Sequence, residues 1–226
     1  RMEPQVSKVL EIQRLRTRGE TLIEEYKIKE QQTLEKKIIM MMPIEGFTCL
    51  DVGFCRGWFT RCFLQKIGKL GKVYSWEPNK ILFENYLKKW KFKNLIGYNY
   101  ALSDKTGLQK YYIYSHEGYL SGYNSLEPNQ FKEKKYETVE EVKTKSLDDW
   151  WGEANKCKVD LIKIDCEGHD YKVLLGGKKM IQEAKPRFIW IESDDESVFK
   201  FMENLNYEPN NKFKELGLVD IIWEKL

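Results

Sequence analysis

After Pro43 the chain alternates short apolar runs with amphipathic stretches, and this rhythm constrains the fold more than any other feature. Residues 47–52, 72–76, 95–102, 159–164 and 188–191 read as strands. Apolar spacing near 3.6 predicts helices over about residues 58–67, 80–89, 171–184 and 195–205. Strands that take turns with helices specify a parallel sheet with crossovers on both faces, because each helix must bury its apolar stripe. The tail breaks the rhythm. Residues 207–213 and 218–223, joined through Gly217 with no helix between, predict a hairpin that adds an antiparallel strand at the sheet edge. Residues 107–146 form an insertion with two further strands, 108–114 and 139–144, around a tyrosine- and glycine-rich loop. Residues 1–42 are charged and helix-favouring, with Gly19 dividing two candidate helices, so they read as an N-terminal extension to a main domain over 43–226.

At 226 residues the chain is long enough for one domain with a real core. Its 38 Lys and Arg against 35 Asp and Glu leave a formal charge of +3, which gives no whole-molecule pull toward nucleic acid. Arg14, Arg16 and Arg18 invite a phosphate-binding reading, but a solvated helix face accounts for them. The five cysteines form no C-x-x-C pair, so reduced thiols and a cytoplasmic location are expected. The run Ile38-Ile-Met-Met-Met-Pro43 is too short to span a bilayer. The start at Arg1-Met2 suggests either the remnant of a tag or one domain of a longer polypeptide.

In an open parallel sheet, ligands bind beyond the carboxyl ends of the strands. Four of the five predicted ends are acidic: Asp51, Glu77, Asp165 with Glu167, and Glu192 with Asp194. The first runs into Asp51-Val-Gly-Phe-Cys-Arg-Gly57, a turn whose glycines let backbone approach a ligand before a helix opens at Trp58. Glu77 closes the second strand 26 positions after Asp51, placed to accept both hydroxyls of a ribose. The turn lacks the third glycine of a pyrophosphate cradle, so a cofactor with ribose and no phosphates fits: S-adenosylmethionine.

Five motifs then fall in order: Leu50-Asp-Val-Gly53 with Gly57-Trp-Phe-Thr60, Trp76-Glu-Pro-Asn79, Asn99-Tyr-Ala-Leu-Ser-Asp104, Val142-Lys-Thr-Lys-Ser-Leu-Asp-Asp149, and Asp160-Leu-Ile-Lys-Ile-Asp-Cys-Glu-Gly-His169. This set resembles the FkbM family of methyltransferases over about residues 47–192. The resemblance implies a Rossmann-like class I methyltransferase with a mostly parallel seven-stranded sheet and an antiparallel terminal strand. It also implies S-adenosylmethionine-dependent O-methylation of a sugar hydroxyl in a glycan or glycoconjugate. Some domains of this kind are fused to glycosyltransferases, which would suit the chain's start. The candidate cofactor set is Asp51, Gly53, Phe54, Arg56, Gly57 and Trp58 at the turn, Glu77 and Pro78, Ala101, Leu102 and Ser103, and Asp165. Phe54-Cys55 departs from the Ala-Asn usual in the family, so a polar contact to the amino acid end of the cofactor is either missing or replaced by Arg56.

Methyl transfer to a hydroxyl needs a group that takes its proton, or a metal that lowers its pKa. His169, Asp165, Glu167 and Glu192 are the candidates, with His169 equally readable as a helix-start residue. A divalent ion on Asp165 and Glu192, with Glu167 beside them, is the minority reading. Lys163 shares a strand face with Asp165 as an ion-pair partner. Tyr119, Tyr123, Asn124 and Ser125 combine aromatic faces with amide and hydroxyl groups suited to a pyranose ring; His116 reads as an exposed loop residue, and Trp150-Trp151 as helix packing. Two other readings stand against this one: methylation of RNA or another small molecule, and a non-catalytic scaffold that keeps the cofactor fold.

Overall fold

The computed structural model describes residues 29–114, 124–128, 130, 136–193 and 195–226. The chain divides into two compact units, Arg1–Met41 and Met42–Leu226. Among the described residues of the first is one helix, α1 (residues 29–41). Arg14, Arg16 and Arg18 lie outside the described residues, as does the Gly19 break.

The second unit opens with β1 (Thr48–Val52), α2 (Trp58–Ile67), β2 (Lys72–Trp76), α3 (Lys80–Asn85), a 3-10 turn Leu87–Lys89 and β3 (Leu95–Tyr98). There follow β4 (Ala101–Leu102), β5 (Gly107–Tyr114), β6 (Tyr136–Lys145), α4 (Leu147–Glu153) and β7 (Leu161–Ile164). The chain ends with α5 (Asp170–Gly176), α6 (Lys178–Ala184), β8 (Phe188–Ile191), α7 (Glu196–Asn204), β9 (Tyr207–Pro209), α8 (Asn211–Lys214) and β10 (Ile221–Lys225).

Seven strands make the main sheet in the order β3-β2-β1-β7-β8-β10-β9, and only β10 runs against the rest. This is the Rossmann-like arrangement expected from the alternation. From β1 the chain steps outward to β2 and β3, and later from β7 outward to β8. Right-handed crossovers in opposite directions place their helices on opposite faces, and the order reverses between β1 and β7. A crevice therefore opens beyond those two strand ends. Every residue of β7 and β8 is buried, as fits central strands covered on both sides.

The structure differs from the sequence reading at four places. The third strand breaks after Tyr98, because Asn99 Nδ2 donates to the carbonyls of Glu77 (2.8 Å) and Pro78 (3.1 Å) and turns the chain away. Its continuation, β4, leaves the main sheet and pairs with β6, which together with β5 forms a separate three-stranded sheet. The helix expected over 171–184 is two helices that meet at Gly177, and the one expected over 80–89 ends as a 3-10 turn. The terminal hairpin carries the short helix α8 between its strands. Trp150 and Trp151, on α4, are buried as expected.

Candidate active site

At the C-terminal ends of β1, β2 and β7 the structure holds a cavity of about 170 Å³. Gly53 follows β1 with φ +97°, and a Cβ there would lie 1.9 Å from the Asp165 carbonyl oxygen, so only glycine lets the two central strand ends approach this closely. The chain then turns through Cys55, a non-glycine residue at φ 50°, and Glu167 after β7 has φ 52°. Both line the cavity. Left-handed conformations at non-glycine residues cost free energy and concentrate where backbone is shaped for a ligand.

Glu77 is 3% exposed at the end of β2. Its Oε2 accepts from the Cys55 amide (2.8 Å) and its Oε1 from the Asn79 amide (2.8 Å), so each oxygen is fixed and retains accepting capacity. Burial pushes this carboxyl up to about 8 against the pull of those two donors. Val52, Trp76, Leu82, Ala101 and Leu102 give the cavity apolar walls around it.

Asp165 lines the same cavity, with its side chain 32% exposed. Behind it Lys163 is fully buried, with Nζ 3.3 Å from Asp165 Oδ2 and 3.4 Å from Asp220 Oδ2. Burial alone would raise Asp165, but Lys163 and hydrogen bonding with Glu192 bring it below the ordinary carboxylate value. The Asp165 charge, with burial, raises Glu192 in turn, an effect that solvent screens because Glu192 is exposed. Asp165, Glu167 and Glu192 each offer a carboxylate oxygen, all within 4.8 Å of one another. Such a concentration of negative charge suits a cationic ligand, whether a metal ion or a sulfonium.

His169 is 1% exposed and has both ring nitrogens engaged: Nδ1 with Glu127 Oε1 (2.7 Å) and Nε2 with Ser103 Oγ (2.9 Å). Burial holds its imidazole below the usual histidine value, against the neighbouring Glu127 carboxylate. This geometry ties the insertion to β4 through the β7 loop. Ser125 adds a second tie, donating from Oγ to the Glu167 carbonyl (2.7 Å).

The FkbM methyltransferase domain family matches residues 51–209. The chain belongs to this family. A curated relative, the 2-O-methyltransferase NoeI of Sinorhizobium fredii (strain NBRC 101917 / NGR234), is 26% identical over 176 residues, covering 74% of this chain and 71% of the relative. The crystal structure of the FkbM methyltransferase of Methylobacillus flagellatus KT is 15% identical with a TM-score of 0.48; the match covers 74% of this chain and 40% of that one. A SAM-dependent methyltransferase from Aquifex aeolicus is 14% identical with a TM-score of 0.42, covering 78% of this chain and 80% of that one.

Within this methyltransferase the residues expected at the cofactor divide in two. Gly53, Glu77, Pro78, Ala101, Leu102 and Asp165 share the cavity. Asp51, Phe54, Arg56, Gly57, Trp58 and Ser103 do not line it. Asp51 lies beneath the turn, where Oδ2 accepts from the Thr60 hydroxyl, itself 2.6 Å from Ser75 Oγ; burial pushes the carboxyl up to about 7. Phe54 is buried edge-on against Trp90, and a Cβ on Gly57 would strike both rings. Arg56 is exposed. Ser103 is spent on His169 and Gln109. Of the acceptor set, Asn124 and Ser125 line the cavity, while Tyr119 and Tyr123, like His116, lie outside the described residues. Sequence reasoning missed Cys55, Cys166, Leu126 and Tyr111 as lining residues. The alternation of β5 could have found Tyr111, which is buried with Ile113 on its inner face. It also missed Glu127, for which the sequence carries no signal.

Proposed function

We propose that this chain transfers a methyl group from S-adenosylmethionine to a hydroxyl of a saccharide or glycoconjugate. The observation that carries this reading is one cavity shared by the Gly53 turn, the doubly held Glu77 carboxylate and Asp165. A glycine where a Cβ would collide, a carboxylate with free accepting capacity and an acidic cluster together fit an adenosine that carries a sulfonium. When bound, this cofactor supplies a methyl group on a positively charged sulfur. Glu77 would hold the ribose hydroxyls, and Leu82 and Leu102 are among the apolar side chains that would enclose the base. Asp165, kept ionised by Lys163, takes the proton of the acceptor hydroxyl. His169 acts through position, holding the Glu127 side of the insertion against β4. The name of the NoeI relative supports O-methylation, and the amide and phenol groups of Asn124 and Tyr111 on the cavity wall suit a sugar.

Mass spectrometry on a panel of hexose and deoxysugar acceptors is expected to show a gain of about 14 daltons. Asp165→Asn should lower turnover by about 10²–10⁴-fold and leave S-adenosylhomocysteine affinity within a few-fold. Methylation at the wild-type rate by that variant would remove Asp165 from the reaction. Turnover is expected to survive a chelator, because Lys163 already supplies a positive charge behind Asp165.

A further inference from the structure

The loops at the opposite, N-terminal ends of β2 and β3 carry a basic and apolar surface that the methyl-transfer site leaves unused. Ahead of β2 is the turn Gly68-Lys-Leu-Gly71, and ahead of β3 the run Lys88-Lys-Trp-Lys-Phe-Lys93. Val73 pairs with Leu95 across these parallel strands, so Leu70 and Phe92, each three residues earlier, sit at the same sheet edge. Asn94 locks the two loops together, its Nδ2 donating to the carbonyls of Gly68 and Gly71 (3.1 Å each). Leu70 is 94% exposed and Phe92 53%. Lys69, Lys72, Lys88, Lys89, Lys91 and Lys93 are all exposed around them. The 3-10 turn and the loop after it contain no acidic residue, and the partner of Lys88 is Glu84 on α3.

We propose that this edge docks the protein on an anionic lipid surface, with Leu70 and Phe92 entering the interface and the lysines facing the headgroups. Two exposed apolar side chains on linked loops cost free energy in water and gain it on transfer to the acyl boundary. A ring of lysines supplies the electrostatic attraction that so small an apolar contact needs. A single-stranded nucleic acid would require successive aromatic platforms. Only Phe92 is open here, because Trp90 packs edge-on against Phe54 and under Arg61. Docking by this edge leaves the cavity at the other strand ends accessible.

Flotation with vesicles of phosphatidylcholine alone and with about a third phosphatidylserine tests the proposal. The wild-type chain should bind only the anionic vesicles and be released as salt rises. Lys91→Glu with Lys93→Glu should weaken binding by about tenfold or more, and Leu70→Ser with Phe92→Ser by about tenfold. Both pairs should keep S-adenosylhomocysteine affinity and the circular dichroism spectrum, which separates lost docking from lost folding. Equal binding of wild type and the charge-reversed variant, or none to anionic vesicles, would overturn it. Tighter binding to a single-stranded RNA oligomer than to vesicles would also overturn it.

Discussion

The role proposed for Glu77 places an unusual demand on it, since a carboxylate would have to serve a ligand from a buried site. Its folded value near 8 lies above the ordinary 4.5, so the unliganded protein keeps it protonated at neutral pH. Ligand binding that uses the carboxylate must first remove that proton. S-adenosylhomocysteine affinity is therefore expected to rise with pH, by about tenfold per unit at most between pH 6 and 8, and to level above 8. Titration calorimetry of wild type and Glu77→Gln checks this: the variant should bind more weakly and lose the slope. Glu77 and Asp51 together make a linked prediction about folding. Both have raised folded values, so their contribution is fully present below the unfolded value and is lost as pH rises through about 7 and 8. Urea midpoints of the unliganded protein should fall from pH 5 to 8, and Asp51→Asn with Glu77→Gln should flatten that fall. Gly53→Ala is expected to be severe, because it combines a φ of +97° with a Cβ 1.9 Å from the Asp165 carbonyl oxygen. Loss of detectable S-adenosylhomocysteine binding in a still-folded variant is the expected result.

Among the elements, those set by local periodicity were the most legible. The helix Trp58–Ile67 and the strands Lys72–Trp76 and Phe188–Ile191 have the bounds read from the sequence, because apolar spacing and flanking turns agree there. Breaks imposed by distant partners were not legible. The end of β3 depends on Asn99 reaching the carbonyls of Glu77 and Pro78, and the joint at Gly177 depends on packing against Leu147. At the site, Gly53, Glu77 and Asp165 could be placed because strand ends in this topology share an edge. The engagement of His169 could not, since its partners Glu127 and Ser103 come from the insertion and from β4. That tie makes a test at this scale. Glu127→Ala leaves the buried His169 without its Nδ1 partner and should cost about 1–3 kcal/mol, read as a lower urea midpoint. His169→Gln, which keeps hydrogen-bonding capacity, should lose less than His169→Ala.

Across the whole molecule, the loop before the last strand is linked to the cavity through Lys163 on the central strand β7. Asp220, just ahead of β10, is 4% exposed; its Oδ2 accepts from Trp190 Nε1 (2.7 Å) and lies 3.4 Å from the buried Lys163. Lys163 thus balances one carboxylate from the tail and one, Asp165, at the cavity. Taking charges out of water is costly, and each is tolerable here only because the opposite charge is present. Lys163→Met should therefore destabilise the fold by about 3–5 kcal/mol, since it strands two acidic groups. Asp220→Asn added to that background should cost little more, or recover part of the loss, because it removes an uncompensated charge. A double-mutant cycle read from urea midpoints with unchanged m-values measures the coupling. Strictly additive losses would show that Asp220 and Lys163 are not coupled electrostatically. A coupling of about 1–3 kcal/mol would show that the antiparallel strand β10, beyond the residues that match the family, contributes through Asp220 to the charge balance at Lys163.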